Sequence, residues 1–126
     1  MRVLVDTSAW VDAFRGSSPS VMKAVDRLLA SGDAVLCGVV EMELRQGLRP
    51  AERGKVLSLL EAVPYVEVQR DDWRLAGEEW AALRGSGITI PPSDCLVAAI
   101  AMRRDLKLLT TDKHFDHYAK KLHLFR

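Results

Sequence analysis

The fold is decided by residues 3–8, which read VLVDTS. Three consecutive aliphatic residues predict a short strand that is buried on both faces, as in a parallel sheet, and this strand ends at Asp6. Thr7 or Ser8 can then cap a helix that runs to about Phe14. A strand that passes directly into a helix is the first half of a βαβ unit, so these residues predict an α/β protein.

The same succession of strand and helix recurs along the chain. Further buried strands are predicted over 34–37, 65–68 and 106–110, with 122–125 as a candidate fifth. Helices are predicted over 19–30, 39–48, 50–63, 72–85, 92–102 and 112–119. We therefore expect residues 1–126 to form a single three-layer α/β/α domain, with a central parallel sheet of four to five short strands and helices on both faces.

Two of these helices carry informative apolar patterns. Trp73, Ala76, Trp80 and Leu83 recur at helical spacing, which predicts that both tryptophans lie in the core. The helix over 92–102 is apolar almost all round from position 95 onward, so we expect the rest of the domain to cover most of its surface.

Composition and charge exclude several classes of protein. The chain has 126 residues, of which 48% are hydrophobic and 28% charged, as in globular rather than disordered or fibrous proteins. Its formal net charge of +1 is too small to hold nucleic acid by bulk electrostatics alone. The two cysteines lie in apolar stretches, and neither a signal segment nor an apolar run of about 20 residues is present. These features predict a cytoplasmic protein with reduced thiols and no membrane partner.

Four acids stand where a parallel sheet places its ligand site. Asp6 and Asp112 each follow a predicted strand, so both project into one crevice if the two strands are neighbours. Asp94 lies in the first turn of the apolar helix, and Glu43 lies on the helix after the second strand, with Gly47 one turn later on the same face. Taken singly, each acid could instead cap a helix or face solvent.

Convergence of these acids requires a compensating charge. Without basic partners they would repel one another, and a divalent cation is the simplest compensator. Oxygen ligands with no close histidine or cysteine cluster favour Mg²⁺, with Mn²⁺ as a substitute. Such an ion activates water and neutralises charge on phosphate, which is the chemistry of phosphodiester cleavage. The hydroxyls of Thr7, Ser8 and Thr110 could hydrogen bond to the acids, although helix capping explains them equally well.

Four motifs in order resemble the PIN-domain ribonucleases, and in particular the VapC toxins of prokaryotic toxin–antitoxin pairs. The motifs are DTSAW at 6–10, ELRQG at 43–47, PPSD at 91–94 and TTDKHF at 110–115. The resemblance implies a Mg²⁺-dependent endoribonuclease that forms a homodimer and is inhibited by a small VapB-type antitoxin. By position, it assigns Asp6, Glu43, Asp94 and Asp112 to the catalytic acids and the three aspartates to the metal.

One position departs from the family pattern. Many relatives carry a further acid two residues after the position of Asp112, where this chain has His114, and Asp116 follows two residues later. We interpret His114 as a surface or supporting residue, because a metal-hydroxide mechanism does not require it as a general base. Arg15, Arg45 and Lys113 are candidate RNA phosphate contacts, or simply solvated charges.

Other functions remain open at this point. A catalytically silent module with the same fold would bind RNA or protein without turnover and without Mg²⁺. A PIN nuclease could serve RNA processing instead of acting as a toxin. A receiver-type domain, phosphorylated on an aspartate, would favour an acidic pair at the first strand, where position 8 is serine.

Overall fold

The sheet of this protein, described here from a computed structural model that covers residues 1–118 and 121–125, has four parallel strands in that part of the chain. The strands are β1 (Val3–Val5), β2 (Ala34–Cys37), β3 (Tyr65–Val66) and β4 (Lys107–Leu109), in the order β3-β2-β1-β4. The helices are α1 (Thr7–Arg15), α2 (Pro19–Ser31), α3 (Gly38–Gly47), α4 (Pro50–Leu60), α5 (Arg70–Gly85) and α6 (Pro92–Arg103), followed by a 3₁₀ helix (Lys113–Tyr118).

The chain crosses the sheet in two opposite directions. It moves from β1 to β2 to β3 through α1–α4, and then returns through α5 and α6 to β4, on the other side of β1. Because such crossovers are right-handed, the first four helices cover one face and α5 and α6 cover the other. The three-layer α/β/α fold is thus confirmed, and the direction reverses between β1 and β4, where ligand crevices open in sheets of this kind.

The core surrounds β1, β2 and α6. All residues of the first two strands are buried, and seven consecutive residues of α6, 95–101, are buried as well. This confirms the expectation that α6 is covered on most sides, and it fixes the position of the helix that carries Asp94. Although α6 is so apolar, it has only 12 residues, and no helix in the described part of the chain is long and apolar enough to cross a membrane.

Several predicted elements differ from the observed ones. Strand β3 has two residues instead of four, and 122–125 forms a single parallel bridge, between Leu124 and Leu108, instead of a strand. The last predicted helix is a 3₁₀ helix over 113–118, and residue 119, where it was expected to end, lies outside the described residues. The number of strands observed in the described residues, four, agrees with the four to five predicted.

The prediction that Trp73 lies in the core is wrong. Trp73 is 61% exposed, whereas Ala76 on the same stripe is buried. Trp80 is half-buried, and its Nε1 donates a hydrogen bond to the carbonyl of Ile90 at 3.1 Å. The stripe begins in the first turn of a 16-residue helix, where Asp72 and not Trp73 is the buried residue, so the apolar stripe and the buried face do not coincide at this end of α5.

Helices α5 and α6 are joined by an internal ion-pair group, the Asp72 cluster, which consists of Asp72, Arg103 and Arg104. Asp72 is fully buried, and its Oδ1 accepts hydrogen bonds from Arg103 at 2.7 Å and Arg104 at 2.8 Å. Its Oδ2 accepts from Arg104 at 2.9 Å and from the backbone amide of Gln69 at 2.7 Å. Burial by itself would raise the pKa of Asp72, but these donors lower it to about 2.

Candidate active site

Asp6 lies at the junction of β1 and α1, in the crevice beside β4. Val5 pairs with Leu109 in the parallel register, and the amide of Asp6 donates to the carbonyl of Leu109 at 2.9 Å. The carboxylate is only 4% exposed, and it makes no capping hydrogen bond to α1. Burial raises the pKa of Asp6, and hydrogen bonds from Thr110 and Ser8 oppose that rise. Asp6 is therefore turned into the crevice and does not serve as a helix cap.

Hydroxyl groups connect the ends of β1 and β4. Oδ2 of Asp6 accepts hydrogen bonds from Ser8 Oγ and Thr110 Oγ1, both at 2.9 Å. Thr110 Oγ1 also accepts from the amide of Asp112 at 3.0 Å, and Ser8 Oγ accepts from the amide of Thr111 at 3.1 Å. These bonds hold the backbone of both strand ends in place and orient the carboxylate of Asp6.

Glu43 reaches the same crevice from α3, which begins directly after β2. Its Oε1 accepts a hydrogen bond from Thr7 Oγ1 at 2.8 Å. Burial raises the pKa of Glu43, the Thr7 hydrogen bond opposes the rise, and the negative charges of Asp6 and Asp112 add to it. Near Gly47, one turn further along the helix, an added Cβ would meet no atom within 4 Å, so this side of the crevice is open.

Asp94 enters from the first turn of α6, which proline starts at its first position. The side chain is almost buried, and its Oδ2 lies 2.8 Å from Nδ1 of His114. Burial raises the pKa of Asp94 to about 6; the His114 hydrogen bond opposes the rise, whereas the charges of Asp112 and Asp6 add to it. Four acids, Asp6, Glu43, Asp94 and Asp112, therefore share one electrostatic environment, and we call them the acidic cluster.

His114 is closer to these acids than the sequence suggested. Its amide donates to Oδ1 of Asp112 at 2.9 Å, and its Nδ1 lies 3.1 Å from the same oxygen. The hydrogen bond with Asp94 raises the pKa of His114. Donor atoms of Asp94, Asp112 and His114 all lie within 4.8 Å of one another. The one sequence signal for this contact was the position of His114 two residues after Asp112.

The three basic residues predicted to contact RNA differ in their surroundings. Arg15 forms an ion pair with Glu52 at 2.8 Å, and Arg45 lies 3.5 Å from Glu41. Lys113 is exposed, and it lines a polar groove with Asp112 and Asp116. Asp116 is exposed and is not part of the donor group that Asp94 and Asp112 form with His114.

The acidic cluster fits a divalent cation. Within residues 1–118 and 121–125, no lysine or arginine forms an ion pair with any of its four members, and His114 is the single basic side chain in contact with them. The pKa values of the buried Asp6 and Asp94 and of the half-buried Glu43 are all raised, first by burial and further by the charges of neighbouring acids. Oxygen donors of this type select hard divalent ions.

Fold and site together define a class: three-layer α/β/α proteins with an acidic crevice at the point where the strand order reverses. Within that class, the sequence of this chain matches one family. The PIN domain family matches residues 3–121, and the chain belongs to this family.

Relatives and solved structures agree with this assignment. The chain is 32% identical over 123 residues to the ribonuclease VapC11 of Mycobacterium tuberculosis, covering 94% of this chain and 92% of VapC11. It is also 32% identical to the ribonuclease VapC19 of that organism, over 89% of this chain and 90% of VapC19. VapBC2 from Rickettsia felis, solved with a promoter DNA fragment, superposes with a TM-score of 0.82 at 20% identity, over 99% and 98% of the two chains. VapC20 of M. tuberculosis, described as a toxin that cleaves the sarcin-ricin loop, gives 0.66 at 22% identity, over 98% of both chains.

Proposed function

We propose that this chain is a Mg²⁺-dependent endoribonuclease, the toxin of a VapBC pair, in which residues 1–126 act as one PIN domain on RNA in the cytoplasm. The observation that carries the proposal is the convergence of four acids at the reversal point of the sheet, none of which pairs with a lysine or arginine among residues 1–118 and 121–125. The relatives named as VapC ribonucleases, which match nearly the whole chain, support the same activity.

The acids divide the work of phosphodiester hydrolysis. Asp6, Asp94 and Asp112 are the residues that would hold Mg²⁺, or Mn²⁺ in its place. When bound, the ion would lower the pKa of a coordinated water and neutralise charge on the phosphate. Glu43 has one carboxylate oxygen held by Thr7, which leaves Oε2 to accept a proton from the attacking water. Burial raises the pKa of Glu43, which makes its carboxylate a stronger base than a fully solvated one.

The neighbouring hydroxyls keep the acids in position. Ser8 and Thr110 both donate to Oδ2 of Asp6, so Oδ1 of that carboxylate is the atom that would hold a cation. On the substrate side, Lys113 is the basic residue best placed to bind an RNA phosphate, because it is exposed and follows Asp112 directly. Arg45 and Arg15 are further candidates, and Arg15 would have to exchange its ion pair with Glu52 for a phosphate.

A VapB-type antitoxin is the proposed partner of this chain, which would itself act as a homodimer. An apolar groove of about 400 Å³, lined in part by Met42, Trp73, Pro92 and Leu96, opens beside the start of α6. Met42 and Trp73 are 60% and 61% exposed, and surfaces of this kind are commonly covered by a partner. The groove reaches Ser93, which is next to Asp94. An antitoxin segment bound in the groove would therefore lie close to the acidic cluster. The solved VapBC complexes of similar fold support this pairing.

RNA cleavage by the purified protein tests the activity. We expect cleavage of total RNA with Mg²⁺ and none with a chelator, and we expect Asp6→Asn to reduce the rate by about 10³-fold while the fold survives, because it removes an acid at the cation. Asp71→Asn is the matched control, since Asp71 is exposed and lies on α5, and it should cleave like the wild type.

The alternatives predict other results. Equal cleavage by the wild type and Asp6→Asn would overturn the site, and RNA binding without turnover would indicate a silent module. Expression in cells separates a toxin from a processing nuclease: a toxin arrests growth, and Asp6→Asn relieves the arrest.

A further inference from the structure

The imidazole of His114 occupies a position that a metal ligand would occupy. Its Nδ1 lies 2.8 Å from Oδ2 of Asp94 and 3.1 Å from Oδ1 of Asp112. Neighbouring ligands of an octahedral ion with bonds of about 2.1 Å are separated by about 3 Å. The distances from Nδ1 to the two carboxylate oxygens are therefore those expected between adjacent ligands of one ion.

The backbone around His114 holds the ring at that place. Its amide donates to Asp112, and the next residue, Phe115, is fully buried, as is Tyr118 at the end of the 3₁₀ helix. Two buried aromatic side chains anchor this short helix, so the position of His114 does not depend on its own half-exposed ring. The side chain of His114 is 44% exposed, so the ring is accessible to solvent.

We propose that Nδ1 of His114 is a ligand of the same divalent cation as Asp94 and Asp112. This inference rests on the proposed function and adds to it the composition of the metal centre. A mixed carboxylate and imidazole centre binds Mn²⁺ more favourably, relative to Mg²⁺, than an all-oxygen centre does. The reason is that Mg²⁺ prefers oxygen ligands, whereas imidazole is a good ligand for transition-metal ions.

Electron spin echo spectroscopy of bound Mn²⁺ tests the bond directly, because it detects nitrogen nuclei coordinated to the ion. The full-length protein is prepared with ¹⁵N in its histidines only and is loaded with Mn²⁺ alone, without RNA. We expect a coordinated ¹⁵N signal in the wild type, its loss in His114→Gln, and its retention in His117→Gln. His117 is the matched control, because it is exposed and lies on the same 3₁₀ helix.

Competition between the two ions gives a second measurement. Displacement of bound Mn²⁺ by Mg²⁺ should become easier by about tenfold in His114→Gln and remain unchanged in His117→Gln. Thermal unfolding of both variants confirms that they are folded.

The outcomes separate the two proposals. If Mn²⁺ binds and supports RNA cleavage but the wild type shows no histidine nitrogen signal, His114 is not a ligand and only this inference is overturned. A hydrogen bond from His114 to Asp94 without coordination would give that result. If no Mn²⁺ binds to the wild type, the inference is overturned; the proposed activity is overturned as well only if RNA cleavage with Mg²⁺ is also absent.

Discussion

Two groups of buried carboxylates in this protein have opposite electrostatic states. In the Asp72 cluster, two arginines and a backbone amide surround one acid and lower its pKa to about 2. In the acidic cluster, burial and mutual repulsion raise the pKa of Asp6, Glu43 and Asp94, the last to about 6. The two groups share helix α6, which carries Asp94 in its first turn and Arg103 in its last.

The difference shows what each group contributes. The Asp72 cluster is complete within the chain, so its ion pairs join α5 to α6 and contribute to the stability of the fold. Among the residues that the structure describes, no lysine or arginine pairs with the acidic cluster, so its negative charge is left for a ligand of positive charge to compensate. One group stabilises the structure, and the other, under the function proposed above, binds a cation at some expense of stability.

Removal of Asp72 has the largest expected effect on stability. Asp72→Ala should lower the free energy of unfolding by about 3 kcal/mol, because it breaks a buried ion-pair network and leaves two arginines without their partner. Denaturant unfolding monitored by circular dichroism measures this. Asp71→Ala is the control, since Asp71 is 61% exposed on the same helix turn, and it should stay within about 0.5 kcal/mol of the wild type. Equal losses in the two variants would contradict a special role for the buried cluster.

Addition of a metal ion should stabilise the protein through the acidic cluster. At a Mg²⁺ or Mn²⁺ concentration 100 times its Kd, the free energy of unfolding should rise by about 2.7 kcal/mol, because the ion binds only the folded state. Differential scanning calorimetry with and without the ion measures the gain. Asp94→Asn should show a much smaller gain at the same concentration, while Asp71→Asn should keep it. An undiminished gain in Asp94→Asn would place the ion elsewhere.

Acid should weaken the Asp72 cluster in a defined pH range. The pKa of Asp72 is lowered from its ordinary value of 3.8 to about 2, so its contribution is complete above pH 4 and is lost as the pH falls from about 4 to about 2. The expected loss is about 2 kcal/mol. The difference in unfolding free energy between the wild type and Asp72→Asn, measured from pH 2 to pH 6, isolates this group. A difference independent of pH would show that the pKa is not lowered.

The smallest effect has the opposite sign and lies in the acidic cluster. The folded-state pKa of Asp94 is raised to about 6, so in the absence of metal its contribution to stability decreases as the pH rises from about 4 to about 6. The rise in the pKa of Asp94 corresponds to about 3 kcal/mol, and loss of the hydrogen bond between His114 and the carboxylate offsets about 2 kcal/mol of it. Asp94→Asn should therefore be more stable than the metal-free wild type at pH 8 by about 1 kcal/mol, and show no such gain at pH 4. Asp116→Asn, at an exposed acid, should show no gain at either pH. A loss of stability in Asp94→Asn at pH 8 would contradict the comparison.

Residues close in sequence account for the part of the fold and site that could be predicted. The strand over 3–5 and the all-round apolar helix α6 follow from local hydrophobic pattern, and both are observed. The expected proximity of Asp6 and Asp112 depended only on their strands being neighbours, and β1 and β4 are paired. Their catalytic and metal-binding roles stay predictions.

Long-range contacts account for what could not be predicted. Asp94 and His114 are 20 positions apart, and Asp72 and Arg104 are 32 apart, so neither pair is visible as a pattern. The exposure of Trp73 depends on which side of the first turn of α5 packs on α6, and Asp72 lies on that side, which periodicity does not specify. The shortness of β3 and the single bridge at Leu124 likewise depend on pairing between distant segments.

The pairing of β1 with β4 makes activity a measure of correct folding. The amide of Asp6 bonds to Leu109 directly beyond the last paired residues, so the carboxylate is oriented by the strand register itself. A slip of one residue would still bury aliphatic side chains, because β1 is apolar on both faces and β4 has Leu108 and Leu109 on opposite faces, but it would turn Asp6 away from Thr110. During refolding, collapse and helix formation can therefore precede the native register, and recovery of RNA cleavage reports the moment at which that register is reached.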